Sequence, residues 1–327
     1  MHNSPRYSRR TFVKSTALAA TGLALGANSL SQSATANSLS PVPAKASPIC
    51  VFSKHLKWLN LTDMIKAAAD MGFDGIDLAV RKDGHIEPEQ AEKELPLAVE
   101  KIRKAGLEVP MIVTTITDPK APINEAIIKT AGKLGIKHYR TGYLNYDATL
   151  GVAKSLEKFK KQLEDLAALN KKYNIQGAYQ NHAGVMVGSS VWDLWILLKD
   201  IDPQWLGVQY DIKHATLEGG LSWVHDLDLL RNHIRCMDIK DFIWENKDGK
   251  WHQKQVPVGQ GMVDFPQYLK RLKSFNISGP MSMHFEYSLG GAETGKSNIS
   301  IPRDEVLMSM KRDLEKFKQL RQEANFG

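Results

Sequence analysis

Three observations predict that this chain is an α/β protein folded as a single (β/α)8 barrel, the TIM-barrel architecture. Eight short apolar runs alternate with eight helix-like stretches from Ile49 to Leu320. Four runs in the second half end in polar clusters: Gln180-Asn181-His182, Asp211-Ile212-Lys213-His214, Asp238-Ile239-Lys240-Asp241 and His284-Phe285-Glu286. From Gln180 through Asp211 and Asp238 to Glu286 the clusters recur every 27 to 48 residues, the length of one βα unit with its loops. Such a barrel carries its chemistry at the C-terminal ends of its strands, so the four clusters point to one shared site.

The expected strands are Ile49–Ser53, Gly75–Val80, Glu108–Thr114, Ile136–Arg140, Ile175–Gln180, Leu206–Tyr210, Ile234–Ile239 and Met281–Glu286. Helices are expected at Leu61–Met71, Glu89–Ala105, Asn124–Leu134, Val152–Tyr173, Ser190–Leu198, Trp223–Leu230, Phe265–Phe275 and Arg303–Leu320. The helix from Val152 shows why: Leu156, Phe159, Leu163, Leu166 and Leu169 recur at the three-four spacing of a half-buried helix. Gly72 directly follows a helical stretch, where a left-handed stop is needed. A doubly wound sheet is the competing architecture. No Gly-x-Gly-x-x-Gly follows the first strand, and neither a Walker loop nor a Gly-x-Ser-x-Gly elbow is present.

The apolar content of 43% and charged content of 24% are those of a soluble globular domain. Of the net +7, four charges come from Arg6, Arg9, Arg10 and Lys14, leaving +3 on the remainder. No Lys/Arg stripe is interleaved with aromatics, so nucleic acid is not an expected partner. Cys50 and Cys236 both fall in expected strands. They read as small buried hydrophobes, with a disulfide left open.

Residues Ser8 to Lys14, Ser-Arg-Arg-Thr-Phe-Val-Lys, precede a weakly apolar stretch from Ser15 to Ala27. That run is too short for a confident membrane span. The segment resembles a twin-arginine export signal, with Ala34-Thr35-Ala36 as a small-x-small cleavage site. The organisation expected is a signal peptide over 1–36, a Ser/Pro/Ala-rich linker over 37–48 and the barrel over 49–327. The resemblance implies a periplasmic or otherwise exported protein, handled by the twin-arginine machinery and without a stable membrane anchor.

Strand side chains alternate faces. One consistent choice of face puts Gln180, His182, Asp211, Asp238, Lys240, His284 and Glu286 at the mouth of one cavity. The other face, with Val208, Tyr210, Met281, Met283 and Phe285, suits the strand–helix interface. Converging carboxylates without a counter-charge repel, so their pKa values rise or a cation binds. Oxygen donors mixed with imidazole suit Mn²⁺, Mg²⁺, Co²⁺ or Zn²⁺.

The chain from Ile49 to Leu320 resembles the xylose isomerase-like barrels, the sugar phosphate isomerase/epimerase family. The likeness rests on Gly72-Phe73-Asp74-Gly75-Ile76-Asp77, Asn181-His182, Asp211-x-x-His214, Lys240-Asp241 followed by Val258-Gly259-Gln260-Gly261, and Glu286. It implies a divalent metal held by Glu, Asp, His and Glu at the ends of strands five to eight. Asp211 and Glu286 keep that pattern; Gln180 stands for the first Glu and Asp238 for the His. The resemblance implies a sugar or keto-sugar isomerase or epimerase working by proton abstraction next to a carbonyl, through a metal-bound enediolate. Glu286 is then the preferred base, with His182 or His284 as the second acid/base group, and His214 contacts substrate. Because Gln180 cannot take a proton, a hydratase or lyase acting on a 3-keto sugar is the alternative. A non-catalytic sugar-binding barrel is a third reading.

Among other candidates for substrate contacts are Lys240, Lys54, Arg81 and His85, with His55 beside them in the first half of the chain. Trp58, Tyr143, Trp223 and Trp244 fall near rim loops, where an aromatic face can stack on a sugar. Asp241 is expected to cap the loop that follows it. The sequence leaves open which sugar is bound and whether the chain forms a homo-oligomer.

Overall fold

The computed structural model describes residues 47–327; the expected signal peptide and most of the linker lie outside them. Eight parallel strands close a barrel: β1 (Ile49–Phe52), β2 (Gly75–Ala79), β3 (Glu108–Val113), β4 (His138–Arg140), β5 (Gln176–Gln180), β6 (Leu206–Asp211), β7 (Ile234–Ile239) and β10 (Met281–Met283). Closure runs through β10, which pairs with β1 (Cys50 opposite Ser282) and with β7 (Ser282 opposite Asp238). Ser47, at the end of the expected linker, is buried; its hydroxyl accepts from Gly279 N, and its carbonyl accepts from Arg321 at 2.8 Å.

The helices are α1 (Leu61–Met71), α2 (Ala91–Lys104), α3 (Pro122–Lys133), α4 (Gly151–Tyr173), α5 (Val191–Leu198), α6 (Ile212–Gly219), α7 (Trp223–Leu230), α8 (Phe265–Ser274) and α9 (Arg303–Glu323). Their ends follow local chemistry. Asn60 caps α1 by accepting from Asp63 N at 3.0 Å, and Gly72 ends it at φ 90°, a conformation costly for any residue with a Cβ. Leu156, Phe159, Leu163 and Leu166 of α4 are buried in the shell between strands and helices, as the spacing requires. Among the described residues no helix is long and apolar enough to cross a membrane.

Two elements depart from the expected eight-by-eight pattern. Helix α6 starts directly at the end of β6, with Asp211 as its N-cap. An antiparallel hairpin, β8 (Asp241–Lys247) with β9 (Lys250–Val256), follows β7 before the chain returns to α8.

The outward side chains Val208, Tyr210, Met281, Met283 and Phe285 join the strand–helix core. The interior is filled in layers. Met111, Ala178 and Cys236 form one apolar cluster inside the barrel, and Phe52, Ala79 and Val113 form another. Cys50 and Cys236 are both free and buried.

Candidate active site

Above those layers the inward residues become polar, and a cavity of about 170 Å³ opens between the strand ends. Gln180, His182, Lys240, His284 and Glu286 line it, as the alternation of faces requires. Lys54 and Arg81, just past the ends of β1 and β2, line it too. Asp211 and Asp238 lie beneath, wholly buried.

Lys240 is the centre of the network. Its ammonium lies 3.0 Å from Asp211 Oδ2, 3.3 and 3.4 Å from the two Glu286 oxygens, and 2.9 Å from His214 Nε2. Burial alone would lower its pKa, but Asp211 and Glu286 outweigh burial and raise it. An ammonium donating to His214 Nε2 requires a neutral imidazole there. Burial and then Lys240 hold the His214 pKa well below its ordinary value, which agrees.

Gln180 bridges the floor. Its amide nitrogen donates to Asp211 Oδ2 at 2.8 Å and Asp238 Oδ2 at 2.5 Å. Its oxygen accepts from Arg140 at 3.0 Å and from the Tyr143 hydroxyl. The orientation is fixed by its neighbours, since a flipped amide would turn its oxygen onto two carboxylates. A glutamate here would do the same.

Asp238 also accepts from Gln209 at 2.6 Å and pairs with His284 Nε2 at 3.2 Å. Burial would lower the His284 pKa, but Asp238 overrides it and raises it; His284 Nδ1 lies 3.8 Å from Glu286. Burial would raise the Glu286 pKa, yet Lys240, His284 and Lys54 hold it well below the carboxylate range. Glu286 is therefore held as an anion, and the same cavity is lined by the His182 imidazole. That imidazole donates from Nδ1 to Ala183 O at 2.8 Å, leaving Nε2 as the lone-pair nitrogen. Burial and then Lys240 lower its pKa, so it is neutral at physiological pH.

The buried carboxylates have counter-charges within the chain. Lys240 compensates Asp211 and Glu286, and His284 compensates Asp238. At the Gln180 position a nitrogen, not an oxygen, faces the centre. Among the described residues no group of three His, Cys, Asp or Glu side chains is arranged to hold a metal ion.

His85 does not reach the cavity; burial and then Lys57 lower its pKa to about 4. His55 is structural: its ring contacts Ala292 O at 3.3 Å and accepts from Phe285 N at 3.1 Å. Phe52 was not singled out by the motifs; it lines the cavity, as do Arg140 and Tyr143. Arg140 and Arg81 lie 5.8 and 5.5 Å from the centroid of the Phe52 ring.

The fold and the site together define a closed eight-stranded barrel with a small polar cavity at its strand ends. The xylose isomerase-like TIM barrel family matches residues 65–301, and the chain belongs to that family. No curated protein sequence is significantly similar to it. The fold is shared with the 3-keto-D-glucoside 4-epimerase of E. coli, at 14% identity over 84% of this chain and 99% of that one, TM-score 0.59. It is shared with a probable 3-DHS dehydratase from Bacillus anthracis, at 14% identity over 82% and 98%, TM-score 0.61. A third similar structure is a xylose isomerase-like barrel protein from Mycobacterium smegmatis in complex with magnesium, at 14% identity over 82% and 98%, TM-score 0.59.

Proposed function

We propose that the cavity catalyses proton transfer at the carbon next to the carbonyl of a sugar or keto-sugar, as an isomerase or epimerase. One observation carries this reading: two imidazoles with pKa values pushed in opposite directions face one small polar cavity. Such a divergence separates a base from an acid. His182 Nε2 takes the proton from carbon, and the electron pair of the broken C–H bond moves onto the carbonyl oxygen. His284, held protonated by Asp238, supplies a proton to an oxygen of the substrate. Lys54, Arg81 and Arg140 fix hydroxyls, and the Phe52 and Tyr143 rings offer apolar faces to the sugar.

A specific residue favours a second reading, hydration or elimination on a 3-keto sugar. Gln180 removes the second carboxylate that a two-sided epimerisation would use, whereas elimination needs one base at carbon and one acid at the departing hydroxyl. A probable dehydratase with the same fold makes this chemistry reasonable for the scaffold.

The test uses a ketohexose and a 3-keto-hexoside in D₂O. Deuterium on the carbon next to the carbonyl, with the sugar mass otherwise conserved, supports isomerisation or epimerisation. Loss of water or of the aglycone supports the second reading. Binding with no exchange of any kind leaves only a sugar-binding barrel.

We further infer export by the twin-arginine route, because Ser8 to Lys14 keeps every fixed position of that signal. Replacing Arg9 and Arg10 together by Lys should leave the protein in the cytoplasmic fraction. Periplasmic recovery of that variant would sink the inference.

A further inference from the structure

We infer that the Lys240 ammonium takes the place of a divalent metal, so that this barrel polarises its substrate with a cation built into the chain. The inference rests on the proposed proton-transfer reading, but its structural half can be tested without any substrate.

The two family positions that keep their residues, Asp211 and Glu286, are the two carboxylates that the ammonium bridges, at 3.0 Å and at 3.3 and 3.4 Å. The fourth contact, His214 Nε2 at 2.9 Å, completes a shell of two carboxylates and one imidazole around one positive charge, with Asp211 and His214 buried and Glu286 partly exposed. A divalent ion drawing on the same oxygens would have to expel the ammonium or sit against it, and like charges that close repel strongly. The two positions that changed their residues changed compatibly. Gln180 presents N–H groups to Asp211 and Asp238. Asp238, standing for the metal-binding His, is occupied by His284, Gln209 and Gln180. The substitutions that break the family pattern and the position of Lys240 are therefore one arrangement: each removes a donor from an ion and gives it to a protein group.

Lys240 lines the cavity, so its charge acts on a substrate oxygen there while its N–H groups stay with Asp211, Glu286 and His214. As the C–H bond breaks and the electron pair moves to the carbonyl, the new negative charge on oxygen is met by a fixed cation that needs no reorganisation. The proton goes to His182, and nothing is oxidised or reduced.

The experiment measures metal content by elemental mass spectrometry in protein purified from metal-replete medium, together with Mn²⁺ titration followed by electron paramagnetic resonance. The wild-type protein is expected to carry no stoichiometric metal, to keep its melting temperature in EDTA and to bind Mn²⁺ weakly. Lys240→Met should bind Mn²⁺ tighter by about tenfold or more, because Asp211 and Glu286 are left without their counter-charge. Near-stoichiometric metal in the wild type, or Mn²⁺ affinity in the wild type equal to that of Lys240→Met, overturns the inference. If Lys240→Met does not fold, the wild-type metal content and melting temperature in EDTA decide it alone. Failure of the reaction reading would appear instead as absent deuterium exchange in a metal-free wild-type protein.

Discussion

The rings of His182 and His214 lie against each other with centroids 3.9 Å apart and planes tilted by 38°. The two imidazoles differ in what holds them. His214 is locked by Lys240 and by its place in the first turn of α6, where its N–H donates to the Asp211 cap at 3.1 Å. His182 is held through Ala183 O and lines the cavity with its other nitrogen uncommitted. His182→Asn should lower kcat by about 10²- to 10⁴-fold, the usual contribution of a general acid or base. The melting temperature should stay close to that of the wild type, because the ring is only half-buried. Steady-state kinetics beside thermal unfolding check it; an unchanged kcat would move the base elsewhere.

The Asp238–His284 pair makes a prediction about stability and pH. Asp238→Asn leaves a buried imidazolium without its anion, and breaking a buried pair from one side costs about 3–5 kcal/mol. The His284 pKa is raised in the folded protein, so the pair's stabilisation is fully present below the ordinary imidazole value of 6.5 and is lost as pH rises through the raised one. The deficit of Asp238→Asn should therefore be larger at pH 6 than at pH 9. Urea unfolding at both pH values measures it, and a deficit that grows with pH would contradict the pairing.

Much of this site was legible because strand alternation is a rigid rule. Once one face of each late strand is assigned to the barrel interior, Gln180, His182, Lys240, His284 and Glu286 fall together, and all five line the cavity. Helix α6 was not legible: eight residues are too few to show a period, and its start signal, Asp211, already read as a strand-end carboxylate. Nor was the β8–β9 hairpin, whose residues are mostly exposed and show no apolar alternation. The role of Lys240 was hidden for another reason. Parity placed its side chain in the cavity, but which carboxylates it would neutralise depends on how strands six, seven and eight are set against one another.

Asp77 tests the price of a buried acid below the site. It is wholly buried; one oxygen accepts from Ser282 at 2.8 Å and the other has no hydrogen-bond partner. Burial raises its pKa from 3.8 to about 6. For an acid raised on folding, the stabilisation is fully present below the unfolded value and is lost as pH rises through the folded one. Asp77→Asn should thus stabilise the protein above pH 6, by about 2–3 kcal/mol at most, and have little effect near pH 4. Chemical denaturation at pH 4.5 and pH 7.5 provides the comparison; equal effects at both would show that the carboxyl does not titrate in this range.

Asp241 gives a prediction that joins stability to catalysis, because it follows Lys240 directly. Its carboxylate accepts from the backbone N–H of Phe242 at 2.9 Å, Gly259 at 3.0 Å, Gly261 at 2.9 Å and Val263 at 3.2 Å. One side chain thus ties the end of β7 to the segment Val258-Gly259-Gln260-Gly261 that closes the hairpin excursion. Gly261 is needed for that approach: a Cβ there would lie 2.2 Å from Asp241 Oδ1. Asp241→Ala leaves those N–H groups unpaired, each costing about 1–3 kcal/mol where it stays buried. Gly261→Ala forces the same carboxylate away by steric overlap. Both variants should therefore lower the melting temperature. Both should also lower kcat more than they raise KM, since the displaced backbone carries the Lys240 ammonium away from Asp211 and Glu286. A loss of stability with unchanged kcat in the fraction that remains folded would show that the loop pin and the cation are independent.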